Sequence, residues 1–245
     1  MLGRSRDFQE RGGAGLQQHR HSCLCRFTST TGSGRATHGL LTPGAQTRYN
    51  QGLDKIAAQE LRNTMGHDME CTISLFARTP AALDALLRDL PGTWTFRNEG
   101  ENTWSAFDIV GHLIHGERTD WMPRARMILQ FGDTQTFEPF DRWGHVRESQ
   151  GKSLGQLLDE FAHLRLENLG ELRALNLRPE DLDRRGRHPA LGIVSLSELL
   201  AAWATHDLTH LHQVSRVMAH QYREAVGPWT RFLGVMQCAG HSSPK

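Results

Sequence analysis

Apolar residues recur at intervals of three and four along the chain from Cys71 onward, and helix start signals precede these runs. Thr79-Pro80 has the form of an N-cap followed by proline at the first helical position. It predicts a first helix over residues 81–90, which Pro91-Gly92 stops. Residues 69–78 are expected to extend this helix backwards.

The second helix is predicted from a capping box. Ser105-Ala-Phe-Asp108 has that form and opens a helix that continues to about Phe131, with Pro123 as the site of a kink. A long loop over residues 132–152, which contains Trp143, follows it.

Two further caps predict the remaining long helices. Ser153 caps a third helix that runs through Leu175, and its leucines recur at helical spacing. Ser195-Leu-Ser-Glu198 is a capping box that starts a fourth helix running to about Tyr222. A short terminal helix is predicted near residues 229–238, and no run of residues has the pattern of a strand.

These elements predict an all-α fold. We expect a four-helix bundle with a long crossover between helices 2 and 3 and a short C-terminal helix. The folded domain is predicted to cover residues 69–239, and residues 240–245 to form a flexible tail. Bundles of this kind hold metal sites between facing helices.

The first part of the chain has a different composition. Residues 1–66 are rich in Gly, Arg, Gln, Ser and Thr and contain few large apolar side chains, so we expect a disordered N-terminal segment. An organellar transit peptide is an alternative, but Asp7 and Glu10 count against it. A third explanation, which we favour, is that the start codon has been placed too far upstream. The first residue of the protein would then be Met65 or Met69, and the residues before it would be a mis-annotated extension.

Charge and cysteine content narrow the class of protein. With 28 basic and 27 acidic residues the formal net charge is +1, which gives no bulk field favouring nucleic acid or an anionic membrane. No apolar run approaches the roughly 18 to 20 residues of a membrane-spanning helix. The four cysteines form neither a disulfide framework nor a paired zinc site. We therefore expect a cytoplasmic protein that has no nucleic-acid or membrane partner.

Two histidines interrupt the apolar stripe of the fourth helix. Steps of three or four residues between Trp203 and Val214 land on His206 and His210. Their rings lie one turn apart, about 6 Å along the axis, so both imidazoles can reach one ion. Hydrogen-bonded core histidines are the alternative, but a metal ion satisfies an acceptor nitrogen on both rings at once.

A third metal ligand is expected on the second helix, where His112 and His115 are both candidates. Periodicity does not choose between them. The apolar arc through Phe107, Val110 and Ile114 faces away from His112. The spacing of the residues alone leaves the third ligand open.

Two segments resemble the DinB-like (DNA-damage-inducible) four-helix-bundle superfamily. Trp104-Ser105-x-x-Asp108-Ile-Val-x-His112-Leu113, followed by Glu117, is similar to the second-helix signature of that family. Trp203-x-x-His206-Asp207-x-x-His210-x-x-Gln213 is similar to its second metal-binding segment. The resemblance covers about residues 69 to 239.

The resemblance implies a ligand set and a topology. It implies that His112, His206 and His210 hold the metal and leaves His115 outside the site. It also implies an up-up-down-down bundle that often forms a homodimer. The bound ion is expected to be one divalent metal, zinc or nickel.

The family includes thiol S-transferases that use bacillithiol, mycothiol or glutathione, and other members that resemble hydrolases. We therefore expect a metal-dependent S-transferase that joins a low-molecular-weight thiol to a small electrophile. A metal-dependent hydrolase and a non-enzymatic, metal-stabilised binding or structural module are the alternatives. A structural site would be closed by a fourth ligand such as Glu117 or Asp207. Accepting hydrogen bonds from the metal ligands and acting as a general base are the other functional roles open to these two carboxylates, but we expect helix-surface carboxylates to be solvated. The sequence assigns no catalytic or cofactor-binding residue beyond the metal ligands.

Overall fold

The computed structural model describes residues 69–238. The predicted N-terminal extension at 1–66 and the predicted tail at 240–245 lie outside the described residues. Within residues 69–238, four long helical segments form the bundle that the sequence predicts. None of the helices in this part of the chain is long and apolar enough to cross a membrane.

The four long segments differ in how continuous they are. The first segment consists of two helices, α1 (Met69–Phe76) and α2 (Thr79–Leu87). The second segment also consists of two helices, α4 (Ala106–Thr119) and α5 (Trp121–Phe131). The other two are the single helices α7 (Leu154–Ala174) and α9 (Leu196–His220). The shorter elements are α3 (Gly92–Thr95), α6 (Gly144–Glu148), α8 (Pro179–Leu182), β1 (Arg185–His188), β2 (Gly192–Ser195) and two 3-10 turns (Gly227–Phe232 and Gly234–Met236).

Capping boxes start α4, α7 and α9; the sequence predicts the boxes at Ser105 and Ser195, and at Ser153 it predicts the cap alone. Ser105, Ser153 and Ser195 each accept a hydrogen bond from the backbone N–H three residues later, and the side chain at that later position accepts one from the serine N–H. Thr79 does not act as the predicted N-cap. It is the first residue of α2, and its hydroxyl instead donates to Asp207 Oδ2 at 2.7 Å.

The second helix bends at Asp120, where α4 ends and α5 begins, three residues before the predicted kink site. Asp120 has φ −113° and ψ −71°, outside regular helical geometry. Pro123 has no N–H to donate to the carbonyl of Thr119, four residues earlier, and its ring displaces that carbonyl. Proline therefore causes the bend, but the bend falls in the preceding turn.

A β-hairpin precedes α9, so the expectation that no strand forms is wrong. Its strands, β1 and β2, pair antiparallel with Arg185 opposite Ser195. Each strand has only four residues, which is too short for an alternating pattern to be recognised in the sequence. The short C-terminal helix predicted near residues 229–238 is present as two 3-10 helices, Gly227–Phe232 and Gly234–Met236.

The apolar core has two clusters, and every long segment contributes to both. One cluster contains Phe76, Trp121 and Trp203, and the other contains Ile109 and Phe161. The first and fourth segments run from the first cluster to the second, whereas the second and third segments run the opposite way. The bundle is therefore up-down-down-up, and the expected up-up-down-down order is wrong. The long crossover exists because two consecutive parallel helices need a connection along the whole bundle.

A layer of buried polar side chains separates the two apolar clusters. Each long segment contributes at least one of them: Thr79, Glu117, Arg165 and Asp207. His112 and His210 are buried as well. Buried polar groups are tolerated only when they have partners, so this layer is where the bundle concentrates its specific interactions.

Candidate metal centre

Three imidazole rings from α4 and α9 meet in the polar layer. His112 Nε2 lies 3.2 Å from His206 Nε2, and His210 Nε2 lies 3.0 Å from the same atom. Within residues 69–238, these three form the only group of three or more His, Cys, Asp or Glu whose ligand atoms all lie within 4.8 Å of one another. The structure thus brings together the three histidines that the family resemblance implies.

The protein keeps these imidazoles neutral. Burial lowers the pKa of His210 to about 4, although the hydrogen bond to Gln213 acts in the opposite direction. Burial also lowers the pKa of His112 and His206 far below 6.5, and the neighbouring imidazoles and Arg142 lower both further. Neutral imidazole is the form that binds a metal ion, so the three rings are ready ligands at physiological pH.

Hydrogen-bond arithmetic favours an ion between the rings. His210 Nδ1 lies 2.8 Å from Gln213 Oε1, which requires the proton on Nδ1 and leaves the lone pair on Nε2. If His206 Nε2–H donates to that lone pair, the same nitrogen has no lone pair left to accept from His112. A hydrogen bond can therefore form in only one of the two short Nε2–Nε2 contacts. A metal ion between the rings would instead accept a lone pair from all three Nε2 atoms.

His115 is paired elsewhere. Its Nδ1 lies 2.8 Å from Glu148 Oε1 on α6, and it is not a member of the three-histidine group. The apolar arc could not choose between His115 and His112 because every residue of α4 from Ile109 to Glu117 is buried. A helix that is buried on all sides has no solvent face from which an inner face can be inferred.

Two carboxylates beside the histidines are buried and bound by one arginine. Arg165 Nη2 lies 2.7 Å from Glu117 Oε1, and Arg165 Nη1 lies 2.6 Å from Asp207 Oδ2. Trp203 Nε1 donates to Glu117, and Asn168 donates to the other Glu117 oxygen at 2.9 Å. The expectation that these carboxylates are solvated is wrong, because 2% of Glu117 and none of Asp207 is exposed.

Arg165 remains charged in this setting. Burial disfavours its charge, but Glu117 and Asp207 outweigh that effect and raise its pKa. The carboxylates are therefore held by a permanent cation and by hydrogen-bond donors. Neither belongs to the group of possible ligands, so within the described residues no fourth protein ligand closes the site.

The crossover between α5 and α7 covers the histidines with aromatic and basic side chains that sequence reasoning missed. The ring centroid of Phe140 lies 5.4 Å from that of His112. The ring of Trp104, which directly precedes α4 and belongs to the motif recognised in the sequence, has its centroid 4.6 Å from that of His112 and 5.0 Å from that of His145. The Arg142 guanidinium lies over the Trp104 ring, 5.7 Å from its centroid. The length of this loop was the available signal, since long loops in compact domains are often functional.

Two glycines allow the crossover to lie directly on α4. A Cβ at Gly111 would come within 2.5 Å of Ser149 Oγ, and a Cβ at Gly144 would overlap the ring of His115. His145 Nδ1 lies 3.0 Å from the carbonyl oxygen of Arg142, which fixes the turn that carries Arg142. The close approach of the backbones therefore places the loop side chains beside the histidines.

Comparisons with known proteins agree with this architecture. The family model of the DinB superfamily matches residues 75–214. A solved structure described as "YfiT from Bacillus subtilis is a probable metal-dependent hydrolase with an unusual four-helix bundle topology" is similar with a TM-score of 0.55 and 18% sequence identity. The similarity covers 62% of this chain and 86% of that chain. No curated protein sequence matches the chain significantly.

Proposed function

The chain belongs to the DinB superfamily, and from this premise we propose that it holds one divalent metal ion through His112, His206 and His210. We further propose that it is a metal-dependent thiol S-transferase acting on a small electrophile. The convergence of three neutral imidazole nitrogens, with no carboxylate among them, is the observation that carries the proposal.

The donor set fits such an ion. Zinc–imidazole bonds of about 2.0–2.1 Å at tetrahedral angles require nitrogens roughly 3.3 Å apart. The two short Nε2–Nε2 distances in this site are 3.2 and 3.0 Å. Imidazole nitrogens suit zinc and nickel, which are therefore the metals we propose.

Each residue of the site then has a task. Gln213 accepts from His210 Nδ1 and so directs the Nε2 lone pair towards the centre. Arg165 occupies Glu117 and Asp207, which leaves a coordination position for a small ligand. When bound, the ion supplies Lewis acidity, which lowers the pKa of a thiol or a water molecule at an open coordination position.

The binding of both nearby carboxylates by Arg165 favours a thiol over water as the nucleophile at the metal ion. Hydrolysis at a single metal ion commonly uses a nearby carboxylate as general base. Glu117 and Asp207 are both bound by Arg165, so neither is available for that task. A thiol can be deprotonated without a general base, because its ordinary pKa of about 8.5 is already close to neutrality.

A metal-dependent hydrolase is the second candidate. The observation in its favour is the similar fold of the Bacillus subtilis protein described as a probable metal-dependent hydrolase. Turnover of an electrophile that depends on added thiol would support the transferase. Turnover of an ester or amide without thiol would support the hydrolase, and neither activity in the metal-loaded protein would support a metal-stabilised binding module.

We also propose that the chain forms a homodimer in the cytoplasm and binds no nucleic acid. Trp229 and Phe232 in the C-terminal 3-10 turns are 68% and 75% exposed, which supports an interface in that region. Light scattering on the purified protein tests the oligomeric state. A monomer at micromolar concentration would exclude the dimer.

The metal content of the purified protein tests the centre itself. After loading with zinc or nickel, wild type is expected to hold about one ion per chain, and the alanine variants of His112, His206 and His210 to hold none. His212→Ala is the matched control, because His212 is exposed on the same helix. His115→Ala is the control on α4. Equal loss in the controls, or no ion in wild type, would exclude the proposed ligand set.

A further inference from the structure

A cation and an indole ring lie beside the histidine cluster on the side of the crossover. Arg142 is half-buried, and its guanidinium carbon lies 5.7 Å from the centroid of the Trp104 ring. The centroid of that ring lies 4.6 Å from the ring of His112 and 6.3 Å from the ring of His210. The Trp104 ring therefore lies close both to the positive charge and to two of the proposed ligands.

Trp104 offers a donor that the described protein does not use. Only 4% of Trp104 is exposed, and within residues 69–238 its Nε1–H has no hydrogen-bond acceptor. A buried donor without an acceptor costs about 1–3 kcal/mol. An oxygen acceptor on a bound ligand would remove that cost, and Arg142 beside the same ring favours an acceptor with negative charge.

The electrostatics of the site point the same way. Three neutral histidines would leave the charge of a divalent ion uncompensated, and Glu117 and Asp207 are already bound by Arg165. Arg142 adds another positive charge, which acts on all three histidines. A ligand that reaches both the ion and Arg142 therefore meets two positive groups, and an anion is the ligand they attract.

We propose that Arg142 and Trp104 form a recognition site for the carboxylate of the thiol that reaches the metal ion. Arg142 binds the carboxylate through charge-assisted hydrogen bonds, and Trp104 Nε1–H donates to it. His145 holds the carbonyl of Arg142 and so positions the turn that carries the guanidinium. This inference rests on the proposed function, because it assigns the class of thiol that the metal-dependent reaction uses.

Binding of three small probes to the zinc-loaded full-length protein tests the inference. The probes are 3-mercaptopropionate, the neutral 3-mercapto-1-propanol, and propionate, which has the carboxylate without the sulfur. Calorimetry on wild type is expected to show at least about tenfold tighter binding of mercaptopropionate than of the neutral thiol, as expected for one charge-assisted interaction.

Variants separate the carboxylate site from the metal site. Arg142→Gln should remove the preference for the charged thiol and weaken propionate at least about tenfold, while the metal content and the affinity for the neutral thiol stay unchanged. Arg142→Lys should restore part of the preference. Trp104→Phe keeps the ring but removes the N–H, and should weaken both carboxylates a few-fold. Arg147→Gln is the control, since Arg147 is exposed on the same segment and pairs with Asp141.

The two proposals fail in different ways. Equal affinity of wild type for the charged and neutral thiols, or propionate binding that Arg142→Gln leaves unchanged, would overturn the carboxylate site alone. If mercaptopropionate bound no better than propionate, the thiol chemistry would be wrong, whereas a loss of propionate binding in Arg142→Gln would still support the carboxylate site. The cobalt-substituted protein gives an independent readout, since a sulfur-to-metal charge-transfer band reports the thiol at the ion.

Discussion

Arg165 on α7 binds both carboxylate oxygens of Asp207 on α9, with Nη1 2.6 Å from Oδ2 and Nη2 3.0 Å from Oδ1. Asp207 directly follows His206 in the sequence. This bidentate pair therefore fixes the turn of α9 that carries two of the three clustered histidines. The ion pair and the histidines belong to one buried polar layer, and the ion pair positions the imidazole rings of His206 and His210.

Arg165→Met tests how far the bundle depends on this pair. The substitution removes the cation and leaves Glu117 and Asp207 buried without it, which should lower the free energy of unfolding by about 3–5 kcal/mol. Urea unfolding at pH 7.5 measures the change. Arg88→Met is the control, because the ion pairs of Arg88 within residues 69–238, with Asp84 and Asp159, are exposed and their loss should change stability little.

The size of the loss in free energy of unfolding of Arg165→Met at pH 7.5, relative to wild type, decides the outcome of this test. A deficit below 1 kcal/mol at pH 7.5 would mean that the pair is not a main determinant of stability.

The metal-free protein should lose stability as the pH falls below 6.5. Burial lowers the pKa of His210 from 6.5 to about 4, and it lowers those of His112 and His206 as well. Between these values the unfolded chain binds protons that the folded chain does not, so stability is highest above pH 6.5 and falls towards pH 4. The difference for His210 alone corresponds to about 3 kcal/mol.

Urea unfolding in the presence of EDTA, at several pH values from 8 to 4.5, measures this dependence. His210→Gln is the comparison, because it removes one of the titrating rings and should make the decline shallower. Identical profiles for the variant and wild type, or a flat wild-type profile, would show that the buried rings do not control stability in this range.

The sequence predicted the helices because caps are local. Ser105, Ser153 and Ser195 each satisfy backbone donors within one helical turn, so four residues carry the whole signal. The histidines of α9 were equally accessible, since they interrupt an otherwise apolar stripe. Thr79 was misread because a hydroxyl before proline looks the same whether it caps its own helix or donates to Asp207, which is distant in sequence.

The partners in the polar layer and the loop could not be read in the same way. Arg165 lies among leucines on α7, and its role depends on Glu117 and Asp207 from two other helices. The placement of Arg142 over Trp104 depends on how the crossover folds onto α4. Such contacts are set by tertiary packing, which neither periodicity nor capping encodes.

Gln213→Leu should weaken metal binding without removing the ligands. Gln213 Oε1 accepts from His210 Nδ1 at 2.8 Å, which fixes both the tautomer and the orientation of the ring. Loss of such a partner typically costs 10- to 100-fold in metal affinity. Competition with a zinc chelator measures the dissociation constant. Gln221→Leu is the control, since the Gln221 side chain donates a hydrogen bond to the carbonyl of Val217 near the end of the same helix; equal effects of the two changes would exclude a specific role for Gln213.

The packing of the crossover on α4 is testable at Gly144. A Cβ at this position would overlap the ring of His115, whose Nδ1 lies 2.8 Å from Glu148 Oε1. Gly144→Ala should therefore displace the ring and lower the free energy of unfolding by about 1–3 kcal/mol, as other overpacked sites do.

Gly170→Ala is the control within α7, where no heavy atom lies within 4 Å of the added Cβ. There the better helix propensity of alanine should raise stability by about 0.5–1 kcal/mol. Opposite signs from the same chemical change, measured by urea unfolding, would support the close packing of α6 on α4, whereas a stabilising effect at both positions would contradict it.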